Sequence, residues 1–423
     1  MSRSHRASLG ARTAAGAALA LAASAAPAFA GFYDPPASLP SANGALVRTE
    51  SQGLNATPGK ATRIMYKSTD NNGRPVGVTG TYIEPTAKYS GSGARPLVVY
   101  AEGTQGQGDS CAPSKSLESG YVGGTVQGFS AGYEIPGINA ILDAGVAVVV
   151  TDYIGLGTTD RLHTYVDRVD QGNAVLDAAR AALKVQGASV TTASPVGLYG
   201  YSQGGGATAA AAELQPSYAP DVNLKGVYAG GPPADLGATM TKADGTILTA
   251  VIGYAINGFV QSDPNLKTIL DAQTNAAGKA ALNEIKTQCV ANSIASFAFK
   301  QTKDWTVSGK SITEVVNGIP AAKAVIDKQK LGKLKPTVPI RIVSGTQDDI
   351  VPHPQAKQLA QDYCNKGANV GYVGVVQFLN TGGTAVNHLN PIINDNGDSR
   401  KWLLDRLAGK SHVSNCAILG ILP

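Results

Sequence analysis

Alternating apolar and polar positions mark two runs near the start of the chain. They are 63–67 (Arg-Ile-Met-Tyr-Lys) and 76–83 (Val-Gly-Val-Thr-Gly-Thr-Tyr-Ile), separated by Asn71-Asn72-Gly73. That spacing predicts a β-hairpin. Continuous apolar runs follow at 97–100, 146–150, 196–199 and 226–229. Runs this short, bounded by Gly and Pro, read as strands buried on both faces. Ala and Val at helical spacing occupy 173–184, and an alanine-rich helix at 206–214 follows the third run. Strand and helix thus alternate, which predicts an α/β fold with a mostly parallel central sheet flanked by helices.

Between about Ala234 and Lys335 the alternation stops. Helix-like pieces at 247–260, 267–273, 280–286 and 319–329 replace it, so the stretch reads as an inserted helical cap. The piece at 247–260 is apolar on nearly all faces, which suits the cap's own core or the lining of an acyl pocket. The sheet resumes at 338–344 and ends with a strand at 373–379, followed by a loop carrying Asn387-His388-Leu389 and a closing helix near 400–408. Residues 31–59, rich in Pro, Ser, Ala and Gly, read as a surface-wrapping stretch. The expected organisation is a first core part at 31–233, the cap at 234–335 and a second core part at 336–423.

Residues 1–30 carry Arg3, Arg6 and Arg12, an apolar run over 14–26, and Ala28-Phe29-Ala30 before Gly31. This is the pattern of a secretory signal peptide cleaved near Ala30; the apolar run is too short to span a bilayer as an anchor. Its removal lowers Lys plus Arg from 35 to 32 against 30 Asp plus Glu, a net charge of +2. With no basic run interleaved with aromatics, nucleic-acid binding has no support. Four cysteines, Cys111, Cys289, Cys364 and Cys416, form an even set without a C-x-x-C in a chain expected to be exported. They favour disulfides over a metal site, and three pairings are open.

The chemistry centres on Gly200-Tyr201-Ser202-Gln203-Gly204, between a predicted strand and a predicted helix. A sharp strand-to-helix turn crowds the backbone, and glycine two residues either side of Ser202 relieves it. The serine hydroxyl then stands exposed, with the Gln203 N–H at the positive end of the helix facing the same space. The Gly-rich loop 102–108 after the strand at 97–100 lacks the G-K-[ST] of a phosphate cradle. It fits better as the loop that offers a backbone N–H to an oxyanion, with Thr104 the candidate donor.

A serine nucleophile needs a base, and the base needs a carboxylate to fix its tautomer. Asp348 lies just past the strand at 338–344 and His388 past the last strand, giving the order Ser, acid, His. Of the other histidines beyond residue 30, His163 precedes the serine, His353 lies too near Asp348 along the chain, and His412 sits in the tail. Asp349 is expected to be solvated or to hydrogen-bond within its turn.

These motifs together resemble the secretory lipase family of α/β-hydrolases. The stretches that carry the likeness are Gly103-Thr104, Asp109-Ser110-Cys111-Ala112-Pro113-Ser114, the Ser202 pentapeptide with Gly205, Gly345 to Pro352, and His388. The resemblance implies the α/β-hydrolase fold with a cap between strands, Asp348 as the acid, and disulfides Cys111–Cys289 and Cys364–Cys416. Relatives often carry His before the Gly of the oxyanion loop, where this chain has Glu102. The implied activity is a secreted lipase or esterase that needs no metal or cofactor. It would act on small-molecule or lipid esters with transient contact at a lipid–water interface and no obligate protein partner. Its rivals are a serine aminopeptidase or acyltransferase of the same fold, and an inactive binding protein.

Overall fold

In a computed structural model, residues 31–119, 121–122 and 130–423 are described. The signal-peptide expectation for 1–30 lies outside them.

The hairpin forms as expected. Strands β1 (Leu46–Gln52), β2 (Lys60–Thr69) and β3 (Pro75–Glu84) run antiparallel along one side of a nine-stranded sheet. Further along come β4 (Leu97–Ala101), helix α1 (Pro113–Ser119), a two-stranded ribbon of β5 (Tyr121–Val122) and β6 (Ser130–Ala131), α2 (Ile135–Asp143) and β7 (Ala147–Thr151). Then α3 (Arg168–Ala182), β8 (Val196–Tyr201), α4 (Gln203–Tyr218) and β9 (Leu224–Gly230) complete the first part of the core. After the insertion, β10 (Ile340–Gly345), α12 (His353–Asn365), β11 (Val370–Val375), α13 (Val386–Asn394) and α14 (Asn396–Leu407) close it. The sheet order is β1-β2-β3-β7-β4-β8-β9-β10-β11, and from β7 onward every neighbouring pair is parallel.

Both faces of the parallel strands are covered, which is why their sequences are continuously apolar. Leu97, Val99 and Ala101 of β4 pack on the α3 and α4 side, with Ala174, Ala178, Ala207 and Ala211. Val98 and Tyr100 pack on the other side, with Ile138 and Ile141 of α2 and Trp402 and Leu403 of α14. The small side chains of α3 and α4 let these helices approach closely. A Cβ on Gly172 would come within 2.9 Å of the Leu214 side chain.

Between β9 and β10 lie seven helices, α5 (Leu236–Ala243), α6 (Ala250–Ser262), α7 (Pro264–Gln273), α8 (Ala276–Ile285), α9 (Val290–Phe297), α10 (Ile312–Gly318) and α11 (Pro320–Lys328). They share their own core, with Tyr254, Phe259, Ile285, Phe297 and Trp305 buried in it. The apolar 247–260 stretch becomes α6. Cys111 pairs with Cys289, joining the loop after β4 to the turn before α9, and Cys364 pairs with Cys416, joining α12 to the tail.

Four local expectations need correction. β1 lies inside the stretch expected only to wrap the surface; Arg48 and Glu50 suit an edge strand and mask its pattern. α12 occupies a span with no helix in the expected order, although Ala356, Leu359, Ala360 and Tyr363 give a clear helical stripe. The last strand ends at Val375, because Gln377 turns its side chain inward to accept from the Gln347 N–H, and Phe378 and Leu379 are left exposed. His388 sits in the first turn of α13, not in a loop.

Candidate active site

Ser202 follows the last residue of β8 and caps α4, with φ +56°, a conformation L-residues rarely adopt. The neighbouring glycines explain how the turn survives. A Cβ on Gly204 would lie 1.8 Å from the Ala101 carbonyl oxygen, and one on Gly200 would lie 2.3 Å from that of Gly204. The elbow is further pinned by the Ser202 N–H, which donates to Gly230 O at 2.8 Å. Strain of this kind is held in place by its surroundings and aims one side chain out of the sheet.

The structure brings Ser202, His388 and Asp348 into one hydrogen-bonded line. Ser202 Oγ is 2.9 Å from His388 Nε2, and His388 Nδ1 is 2.8 Å from Asp348 Oδ2. The other carboxylate oxygen of Asp348 accepts from the backbone N–H groups of Ile350 and Val351 at 2.9 and 2.8 Å. Because that carboxylate only accepts, Nδ1 carries the proton and Nε2 is left to accept from the serine hydroxyl. Burial alone would lower the basicity of His388. The charge and hydrogen bond of Asp348, helped by Asp349, outweigh it and raise the pKa above the ordinary 6.5.

Asp349 is neither solvated nor confined to its turn. It is buried, one oxygen accepting from the His388 N–H at 3.1 Å and the other from Thr381 Oγ1 at 2.7 Å. The Tyr201 hydroxyl donates to the His388 carbonyl at 2.5 Å. The backbone of His388 is therefore held on both sides, a role that the adjacent Asp-Asp pair did not disclose in the sequence.

Thr104 and Gln203 line the same cavity as Ser202. The Gly103 N–H is taken by the Glu134 carboxyl at 2.8 Å, whereas those of Thr104 and Gln203 have no acceptor among the described residues. Glu102 is buried behind this loop, where burial and the charge of Asp152 push its pKa up to about 8; burial and Glu102 likewise raise Glu134. The rest of the lining is apolar or hydroxylated and includes Leu236, Met240, Ile252 and Val351, with no charged side chain among the described lining residues. A second apolar cavity, inside the cap, shares Met240 and Ala255 with it.

The remaining histidines separate. His353 contacts Ser344 Oγ and the Tyr372 hydroxyl, and His412 accepts from Trp402 Nε1. His163, set aside on chain order, lies beside the site with its ring nitrogen 2.9 Å from the Gln203 side-chain amide. Nothing in its sequence neighbourhood signals this. Among the described residues no group of three or more His, Cys, Asp and Glu gathers as metal ligands.

A mostly parallel sheet, a strained serine between strand and helix, and Asp348 and His388 following the later strands β10 and β11 define an α/β-hydrolase. Solved structures agree on the fold. Candida antarctica lipase A in its closed state superposes with a TM-score of 0.74 at 22% identity, over 88% of this chain and 84% of that one. The rice cell wall degrading esterase LipA of Xanthomonas oryzae does so at 0.72 and 17%, over 86% of this chain and all of that one. The chain belongs to the secretory lipase family, which matches residues 121–415. Among relatives, it is 29% identical over 387 residues to the "probable inactive lipase MT1628" of Mycobacterium tuberculosis, covering 90% of this chain and 82% of that protein. It is 28% identical over 402 residues to Lipase 5 of Candida albicans, covering 91% and 82%.

Proposed function

We propose that the chain is an exported serine ester hydrolase that cleaves acyl esters, with Ser202 as nucleophile, His388 as general base and acid, and Asp348 as its orienting carboxylate. The observation that carries this reading is the Ser202–His388–Asp348 line, at 2.9 and 2.8 Å with both partners of the serine buried. Ser202 Oγ attacks the ester carbonyl as its proton passes to His388 Nε2. The N–H groups of Thr104 and Gln203 receive the charge that develops on the carbonyl oxygen. The intermediate collapses, the alcohol leaves with the proton from His388, and water, deprotonated by the same nitrogen, releases the acid.

The absence of a charged side chain among the described lining residues supports an acyl chain rather than a charged peptide terminus as the bound group. Phe378, Leu379, Val386, Leu389 and Ile393 are exposed on the segments that flank His388. They support presentation of the ester from a lipid–water interface. Two disulfides and the secretory family support export.

A relative described as probably inactive favours a second reading, a binding protein on the same fold. Hydrolysis of p-nitrophenyl esters from C2 to C16, alongside amino-acyl p-nitroanilides, decides among these. Turnover of esters alone is expected. Turnover of anilides alone would establish a peptidase, and no turnover of either by folded protein would establish the inactive reading.

A further inference from the structure

The segment between β7 and α3 touches both halves of the oxyanion site. Tyr153, just after β7, donates its hydroxyl to the carbonyl of Glu102 at 2.6 Å. Tyr165, twelve residues on, shares a 2.6 Å hydrogen bond with Thr104 Oγ1. His163 lies between them, stacked on Tyr153 at 5.8 Å and edge-on to Tyr165 at 5.8 Å. Its Nδ1 is 3.0 Å from the carbonyl of Ile154, which can only accept. The proton is therefore on Nδ1, and Nε2 is a bare acceptor aimed at the Gln203 side-chain amide 2.9 Å away. His163 and Gln203 are each 2% exposed, so water is not at hand to replace this bond. Burial lowers the pKa of His163 to about 4, which keeps the ring neutral in the range where His388 acts as a base.

We infer that His163 is a positioning residue for the oxyanion site, acting through the side chain of Gln203, and that the 153–165 segment sets the spacing between the Gln203 and Thr104 donors. This rests on the reading of Ser202 as an ester-hydrolysing nucleophile. Gln203 opens α4 immediately after Ser202, so a clamp on its amide restrains the torsions that aim its own N–H. Without the clamp, the buried amide lacks a partner. It then turns toward the hydroxyls of Thr104 and Ser202, with which it lines the cavity. The loss falls on the transition state, because the ground-state ester is held by the apolar lining.

The test compares wild type, His163→Phe, Gln203→Leu and the double variant on p-nitrophenyl butyrate. It also measures inhibition by an alkyl trifluoromethyl ketone, whose hemiketal oxygen occupies the oxyanion site. His163→Phe keeps the ring stack and removes the acceptor. It is expected to lower kcat about 10–100-fold, less than outright loss of a donor, with KM within about 3-fold. The ketone's Ki should rise by the same factor, and the double variant should be no worse than Gln203→Leu alone. A folded His163→Phe with unchanged kcat, a loss confined to KM, or strictly additive losses would overturn the inference. Ring-nitrogen NMR of the wild-type protein tests it independently of any variant's folding: a neutral Nδ1–H tautomer at His163 is expected from pH 5 to 9, and an Nε2–H tautomer sinks it. Wild type without Ser202-dependent turnover would instead defeat the hydrolase reading, and this inference with it.

Discussion

Asp348→Asn is nearly isosteric, yet the structure dictates which way its amide must face. Asp348 Oδ1 accepts from the Ile350 and Val351 N–H groups at 2.9 and 2.8 Å, and only an oxygen can take that place. The amide NH2 is thereby turned toward His388 Nδ1, where the carboxylate oxygen now sits 2.8 Å away. It donates, so Nδ1 must accept and the proton moves to Nε2, which then faces Ser202 as a donor and cannot take its proton. In serine hydrolases a wrong tautomer of this kind lowers kcat by about 10⁴-fold, or about 5 kcal/mol at 1.36 kcal/mol per decade. Asp348→Ala would instead strand two buried N–H groups, at about 1–3 kcal/mol each, and mix a folding defect into the result. The assay is kcat on p-nitrophenyl butyrate, with thermal melting to show that Asp348→Asn is folded. Asp349→Asn is the control. Its oxygen can still accept from the His388 N–H and its NH2 can meet Thr381 Oγ1, so its loss should stay under about 10-fold. A folded Asp348→Asn enzyme within 10-fold of wild type, or a larger loss in Asp349→Asn, would refute the assignment of the acid.

Three further outcomes follow from the same geometry. The kcat/KM profile should fall on its acid side with a midpoint above 6.5, because His388 must be neutral to act as a base and Asp348 holds its pKa up; a midpoint well below 6.5 would contradict this. Glu102, raised from 4.5 to about 8, holds a proton in the fold that the unfolded chain releases. It therefore contributes stability below about pH 4.5 that is lost as pH rises to about 8. The melting temperature of Glu102→Gln relative to wild type should accordingly climb between pH 5 and pH 9, and a difference that stays constant would remove the buried-acid account. Reduction of the disulfides opens loops with sequence separations of 178 and 52. Loop entropy puts this at about 5 and 4 kcal/mol, so melting with a reductant should shift sharply downward. An unchanged melting curve after verified reduction would count against that estimate.

Much of the candidate site was legible because its constraints are local. The glycines around Ser202 answer backbone contacts under 3 Å, and strand, acid, strand, base in fixed order is a topological signature that survives without coordinates. What escaped was set by tertiary contact. Asp349 reads as a turn residue until the backbone of His388 is brought to it, and His163 is adjacent to Gln203 only because β7 and β8 flank β4 in the sheet. The end of β11 differs from the sequence pattern for a related reason: Val376, Phe378 and Leu379 keep an apolar character that normally signals burial, yet Phe378 is 91% exposed. Apolarity there serves the surface and not the core. β1 was hidden in the opposite way, its charges reflecting an edge with water beside it.

The central claim, that Ser202 is a working nucleophile, is tested most directly by hydrolysis of p-nitrophenyl butyrate with wild type beside Ser202→Ala, both labelled with a fluorophosphonate and mapped by peptide mass spectrometry. The account predicts turnover by wild type, a loss of at least about 10⁴-fold in the variant, and a single adduct on Ser202 that the variant lacks. Equal turnover by a folded Ser202→Ala protein, or a folded wild type that neither turns over the ester nor takes the label, would contradict it.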